Sequence, residues 1–230
     1  MMKKTVIVIT SIGVLATEVI WQLYKGYRSS QGKAINTSNG CAKQLSRNKK
    51  PIHEVMFFSK DSSLCRTHLE CMKPCAALNC PIRHLRTIIN YLDSATDTLD
   101  VCLYFFTFPA LAEAIIRAKN RNVVVRMILD ESMAQNDTSQ IMSFYNEGIK
   151  LISKKLDTLM HHKFVVIDNN ILISGSINWT KSAFFGNFEN MLITNESAIV
   201  KPFINEFERV WTMLNVNKTT EANSKNLNVQ

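Results

Sequence analysis

Between Met160 and Trp179 the chain reads MHHKFVVIDNNILISGSINW, and no other run restricts the fold as much. Two apolar stretches, Lys163–Asp168 and Ile171–Ser174, flank Asn169-Asn170, a pair suited to a tight turn that needs positive φ. The run therefore predicts an antiparallel hairpin. A strand alternates its side chains between two faces, which sets His161 and Lys163 on one face and His162 on the other. Beyond the turn the chain returns to Gly175-Ser176 and Asn178, so His161, Lys163, Ser176 and Asn178 converge at one end of the sheet. An imidazole nucleophile or base, a fixed cation and two neutral donors around a glycine can hold a tetrahedral phosphate and attack it. A surface hairpin with a chance His-His-Lys is the competing reading, yet every fixed position of H-x-K-x4-D-x6-G-S-x-N is filled.

The surrounding chain alternates strands with helices. Val55–Phe58, Leu99–Thr107, Asn122–Asp130, Ile149–Ser153 and Phe188–Thr194 read as strands from their apolar and β-branched content. Helices are expected from Pro81 to about Tyr91, over Pro109–Lys119, over Asp137–Glu147 with Gly148 to end it, and from Glu196 to about Leu214. Such alternation predicts an α/β domain, a mixed β-sheet flanked by helices, over residues 51–214. A polar tail follows at 215–230.

Charge separates this domain from what precedes it. The net charge is +8, but up to residue 60 ten Lys and Arg face only Glu18 and Glu54, and from residue 61 onward seventeen basic residues meet seventeen acidic ones. The balanced domain weakens a bulk-charge argument for nucleic acid, and the basic arm suits anionic headgroups. From Thr5 to Tyr24 the chain reads TVIVITSIGVLATEVIWQLY, about the ~20 residues that cross a hydrocarbon core, with Lys3, Lys4, Lys25 and Arg28 at its flanks. Residues 1–24 are read as a membrane anchor, a transmembrane helix over 5–24. A cleaved signal peptide is the rival, disfavoured because apolar character resumes beyond Glu18. Residues 25–50 read as a basic flexible linker.

A small Cys-rich insert lies between the first strand and the first helix. It spaces its ligands as Cys65-x2-His68-x2-Cys71-x3-Cys75-x4-Cys80. Four thiols and an imidazole within sixteen residues suit a closed tetrahedral zinc site of structural role. Cys65, Cys71, Cys75 and Cys80 form the simplest set, with His68 as a substitute for one of them. Disulfides are the alternative, which a reducing cytosol opposes.

The motif His161, Lys163 and Asp168, followed by Gly175, Ser176 and Asn178, resembles the HKD motif of the phospholipase D superfamily. Glu189 in NFEN matches the acidic residue that in this superfamily orients the nucleophilic histidine. The single motif, the N-terminal span, the Cys-rich segment and MHHKF…GSINWTKSAFFGNFENMLIT resemble the mitochondrial cardiolipin hydrolase or Zucchini family. In relatives of that family a histidine completes the zinc set near the position of Cys80.

The resemblance implies a phosphodiesterase working through a phosphohistidine, without a catalytic metal. A second imidazole is then needed as acid and base, and one motif per chain implies a homodimer with a composite active site. Lys163 and Asn178 would bind nonbridging oxygens, while Asp168, at the far end of its strand, is better cast as a brace. Two substrates fit this machinery. One is single-stranded RNA, cut by an endoribonuclease of piRNA biogenesis at the mitochondrial surface; the other is cardiolipin, converted to phosphatidic acid. The implied location is the mitochondrial outer membrane, single-pass, with the catalytic domain facing the cytosol. Lys154, Lys155 and Lys181, with Phe184 or Phe185 for stacking, would favour RNA.

Overall fold

In the computed structural model the described residues are 50–77, 79–131, 140–154 and 156–226, with 216–226 as backbone only. The expected anchor 1–24 and all of the expected linker 25–50 but its last residue lie outside them, and no helix among the described residues is long and apolar enough to cross a membrane.

Residues Pro51–Gln230 form one compact unit built on a seven-stranded mixed sheet. The strands are β1 His53–Phe58, β2 Thr98–Leu103, β3 Val124–Asp130, β4 Lys150–Lys154, β5 Lys163–Ile167, β6 Ile171–Gly175 and β7 Glu189–Thr194. Their spatial order is β1-β7-β6-β5-β2-β3-β4. The β2-β3-β4 part is parallel, and all the other pairings are antiparallel. Parallel neighbours need a crossover, supplied by α2 Pro109–Asn120 between β2 and β3 and by α3 Ile141–Asn146 between β3 and β4.

Period-two alternation then decides the layers. Leu99, Val101, Leu103, Val165, Ile167 and Ile173 point into the larger core, which includes Leu85 and Ile88 of α1 Pro81–Asp93 and Leu111 of α2. Cys102, Phe164, Val166 and Leu172 point the other way, against Val200, Phe207 and Trp211 of α5 Ser197–Asn226. Both faces are covered, as the mixed sheet between helices required. Arg126 docks α5: its guanidinium donates to Asp100 at 2.7 and 2.8 Å and to Glu208 at 2.6 Å, and lies 4.8 Å from the Phe207 ring centroid. Burial raises the Asp100 carboxyl, opposed by Arg126.

Beyond shifts of a few residues at element ends, three differences from expectation bear on the fold. β2 stops at Leu103, where the chain turns to bring Phe106 against Trp179. The closing helix runs on past Leu214 to Asn226, a stretch without Gly or Pro to stop it. In the hairpin the positive φ falls on Asp168 (51°) and Asn169 (50°), one residue earlier than Asn169-Asn170. Two short helices, a 3₁₀-helix over Lys60–His68 and α4 over Lys181–Gly186, carried no sequence period long enough to see.

Candidate active site

The approach to His161 is fixed by its predecessor. The Met160 amide donates to the buried Asp130 carboxylate at the end of β3, at 2.9 Å. The chain then enters β5, and alternation separates the two histidines as expected. His162 turns toward α5, its Nε2 3.0 Å from Glu206 and its ring edge-on to Phe164 at 5.4 Å. His161 stays exposed on the opposite side, with Lys163 Nζ 3.1 Å from its Nε2. Lys163 also donates to the His161 carbonyl at 3.1 Å. Burial lowers the Lys163 pKa, and the charge of Glu189 works against that.

Tyr104 shares this corner. Its ring centroid lies 4.5 Å from that of His161 and 5.2 Å from Lys163 Nζ, while its amide donates to the His162 carbonyl at 2.8 Å. The residue gave no sign in the sequence, because its placement depends on the β2–β5 register, Leu103 opposite Lys163.

The second half of the motif leaves β6 at Gly175. Ser176 donates its hydroxyl to Glu189 Oε2 and accepts the Asn190 amide at 3.0 Å, so β6 and β7 are clasped at their site end. Glu189 accepts from Asn187 Nδ2 at 3.0 Å as well. Its hydrogen-bond partners within the chain are thus Ser176 and Asn187. Asn178 Oδ1 is buried with no hydrogen-bond partner, and neighbouring Trp179 is bonded to the 105–108 backbone. The structure therefore gathers His161 with Lys163, and Ser176 with Glu189.

Asp168 lies at the other end of β5, away from His161. Its carboxylate accepts the amides of Thr96, Asp97 and Thr98 at 2.8–3.2 Å and the Thr96 hydroxyl at 3.0 Å, closing the loop ahead of β2. Burial pushes this carboxyl up, but those backbone donors outweigh it and leave the pKa below the ordinary value. A depressed carboxyl stabilises the fold above its unfolded pKa of about 3.9 and loses that contribution as pH falls through the folded value. Asp168→Ala is expected to cost about 1–3 kcal/mol at neutral pH, read from urea denaturation, with the gap to wild type closing below about pH 4.

The Cys-rich insert corrects one expected ligand. The ligand atoms of Cys65, His68, Cys75 and Cys80 lie within 4.8 Å of one another, whereas Cys71 is exposed with its thiol toward the His68 carbonyl at 3.4 Å. The 3₁₀-helix explains the exchange, because Cys65 and His68, three residues apart, fall on one face. The donors fit a tetrahedral metal: Cys65 and Cys75 Sγ are 3.6 Å apart, and His68 Nδ1 is buried without a partner. The described cysteines are all free thiols. Burial pushes Cys65 up to about 12, while at Cys80 backbone hydrogen bonds from Arg83, Cys75 and Ile82 overcome burial and lower the pKa. His84 of α1 packs on Phe58 with centroids 5.1 Å apart.

Comparison with known proteins decides the family. The profile of the family described as "Cardiolipin synthase, PLD-like domain" matches residues 88–211, more than half of the chain. The chain belongs to the phospholipase D-like family. It is a phosphodiesterase hydrolase of that family. "Mitochondrial cardiolipin hydrolase" of Xenopus laevis is 36% identical over 170 residues, 72% of this chain and 79% of that protein. The Homo sapiens protein of the same name is 35% identical over 186 residues, 76% and 73% of the two chains. Among solved structures, the phospholipase D family member Nuc from Salmonella typhimurium superposes with a TM-score of 0.56 at 24% identity, covering 71% of this chain and 95% of its own.

For a phospholipase D-like phosphodiesterase, the stacking residues expected from sequence are misplaced. Phe184 and Phe185 are fully buried and belong to the core. Among the described residues the exposed phenylalanines are Phe57 and Phe188, with Tyr145 exposed elsewhere.

Proposed function

We propose that this phosphodiesterase hydrolyses its substrate in two steps with His161 as nucleophile, and that the substrate is single-stranded RNA. The chemistry is supported by the Lys163 ammonium 3.1 Å from the exposed His161 ring: a cation to hold a phosphate beside the atom that attacks it. A ring nitrogen of His161 forms a bond to phosphorus, and the P–O bond to the leaving group breaks. The leaving oxygen takes a proton from the imidazolium of the partner subunit's His161. That imidazole then takes a proton from water, whose oxygen displaces His161 and regenerates both groups. Both proton transfers run between imidazoles and oxygen, so the scheme calls for no catalytic metal. Lys163 and Asn178 bind the nonbridging oxygens, and Ser176 and Glu189 support them. Asp168 serves as a brace.

RNA is favoured because His161 stands exposed on the surface, within reach of the phosphates of an extended strand. The placement proposed is the mitochondrial outer membrane, single-pass through residues 5–24, with the domain in the cytosol for piRNA precursors. The name of the curated relatives supports the mitochondrion.

Cardiolipin is the second reading, with phosphatidic acid as product. It is favoured by that same name and by a cavity of 350 Å³ bordered by His161, whose lining mixes Leu156, Leu159, Val210 and Met213 with the polar Thr158, His162 and Arg209. The deciding experiment gives the purified full chain a 5′-labelled single-stranded RNA and cardiolipin vesicles, with His161→Ala as control. RNA cleavage absent from the variant supports the first reading. Lipid turnover alone replaces it by the second.

Cys65, His68, Cys75 and Cys80 are proposed to hold a structural zinc, tying the 3₁₀-helix to the start of α1. Purified protein is expected to carry about one zinc per chain, and its removal to cost about 3 kcal/mol or more, a fall in Tm of roughly 6–12 °C. Cys80→Ser should behave like the stripped protein and Cys71→Ser like wild type. Full stability without metal would overturn the assignment.

A further inference from the structure

A second cavity, of 430 Å³, opens beside β1 and β7, lined by Phe57, Ser59, Asn79, Phe188, Glu189 and Asn190 among others. Phe57 and Phe188 are 57% and 76% exposed, although covering such a ring contributes about 1.5–3 kcal/mol. Phe57 stands opposite Asn190 in the β1–β7 register, so the edge strand and the start of β7 together frame the cleft. Two solvated aromatic rings at the border of a candidate active site mark a surface kept for a ligand.

The lining chooses among ligands. It holds no Lys or Arg and one carboxylate, which repels an anionic headgroup, and its two amides serve no purpose toward an acyl chain. A nucleobase matches all of it, presenting a π-face to rings and a polar edge to amides. Glu189 connects this cleft to the phosphate position, because it also holds Ser176 and its charge is felt at Lys163.

We propose that Phe57 and Phe188 form a stacking subsite for a nucleobase of a single-stranded RNA whose phosphate lies at His161 and Lys163, with Asn79 and Asn190 meeting the base edge. The subsite rests on the RNA reading above. It would set which nucleotide lies beside the cleaved bond, since purines stack more strongly than pyrimidines.

The test uses the full chain with Phe57→Ala, Phe188→Ala and Phe188→Trp on a labelled single-stranded RNA and on the same RNA carrying an abasic nucleotide next to the cleavage point. Each alanine variant is expected to raise KM for intact RNA about ten-fold with little change in kcat, and Phe188→Trp to restore it. On abasic RNA wild type should already show the raised KM, and the alanine variants should lose nothing more. Equal KM for wild type and variants on intact RNA sinks the subsite alone. So does an equal further loss on abasic RNA. A variant that sediments as a smaller species would show a contact between copies instead, and a parallel loss of cardiolipin turnover would show a lipid contact. Failure of wild type to cut any RNA removes the RNA reading and the subsite with it.

Discussion

His161→Ala is expected to reduce phosphodiester turnover by about 10⁴-fold or more while leaving the fold and any dimer intact, since removal of a nucleophile costs that much where no other group replaces it. The exposed ring bears no packing load. Its contacts are to Tyr104 and Lys163, and Met160 ahead of it is held by Asp130 whatever side chain follows. Mixing sharpens the result. If each active site needs His161 from both chains, equal amounts of wild type and variant, exchanged at random, retain about one quarter of the activity. If each chain works alone they retain about one half. A value near one half, measured after subunit exchange is complete, would sink the composite site while leaving His161 as nucleophile.

Gly175→Ala is expected to be the most damaging single methyl group in the hairpin. A Cβ there would lie 2.1 Å from the Asn190 carbonyl oxygen and 2.8 Å from the Met191 Cα. Both atoms are backbone, so no side chain can swing aside. β6 and β7 must separate where Gly175 pairs with Met191, which breaks the Ser176 to Glu189 and Asn190 to Ser176 hydrogen bonds next to it. We expect more than about 4 kcal/mol of lost stability, or, where the chain yields locally, a folded protein with little activity. Thermal melting and turnover on one preparation distinguish these outcomes. Unchanged melting together with unchanged turnover would refute the close approach.

How much of this was legible depends on what each residue's position rests on. His161 and Lys163 could be placed from one strand and its alternation, which is local, and the sheet of alternating strands and helices follows from periodicity alone. The set proposed to hold a metal could not. Spacing makes Cys71 as suitable as His68, and what separates them is the end of the 3₁₀-helix at His68: Cys65 and His68 share its face, while Cys71 lies in the turn beyond it and is exposed. Phe184 and Phe185 looked available because they follow the motif, but α4 buries both against the core. The exposed Phe57 and Phe188 belong to β1 and to the residue before β7, elements some 130 residues apart that pair only in the folded sheet. Tyr104 and Asp130 share this character, since each reaches the site through strand register rather than sequence neighbourhood.

β1 has a further consequence for reach. Its pairing runs from His53 opposite Thr194 to Phe58 opposite Glu189, so the point where residues 1–49 join the domain is at the end of the strand away from Glu189. Six residues of strand span about 20 Å. The Ser176–Glu189 end of the site therefore lies about one strand length from Pro51, where the described domain begins.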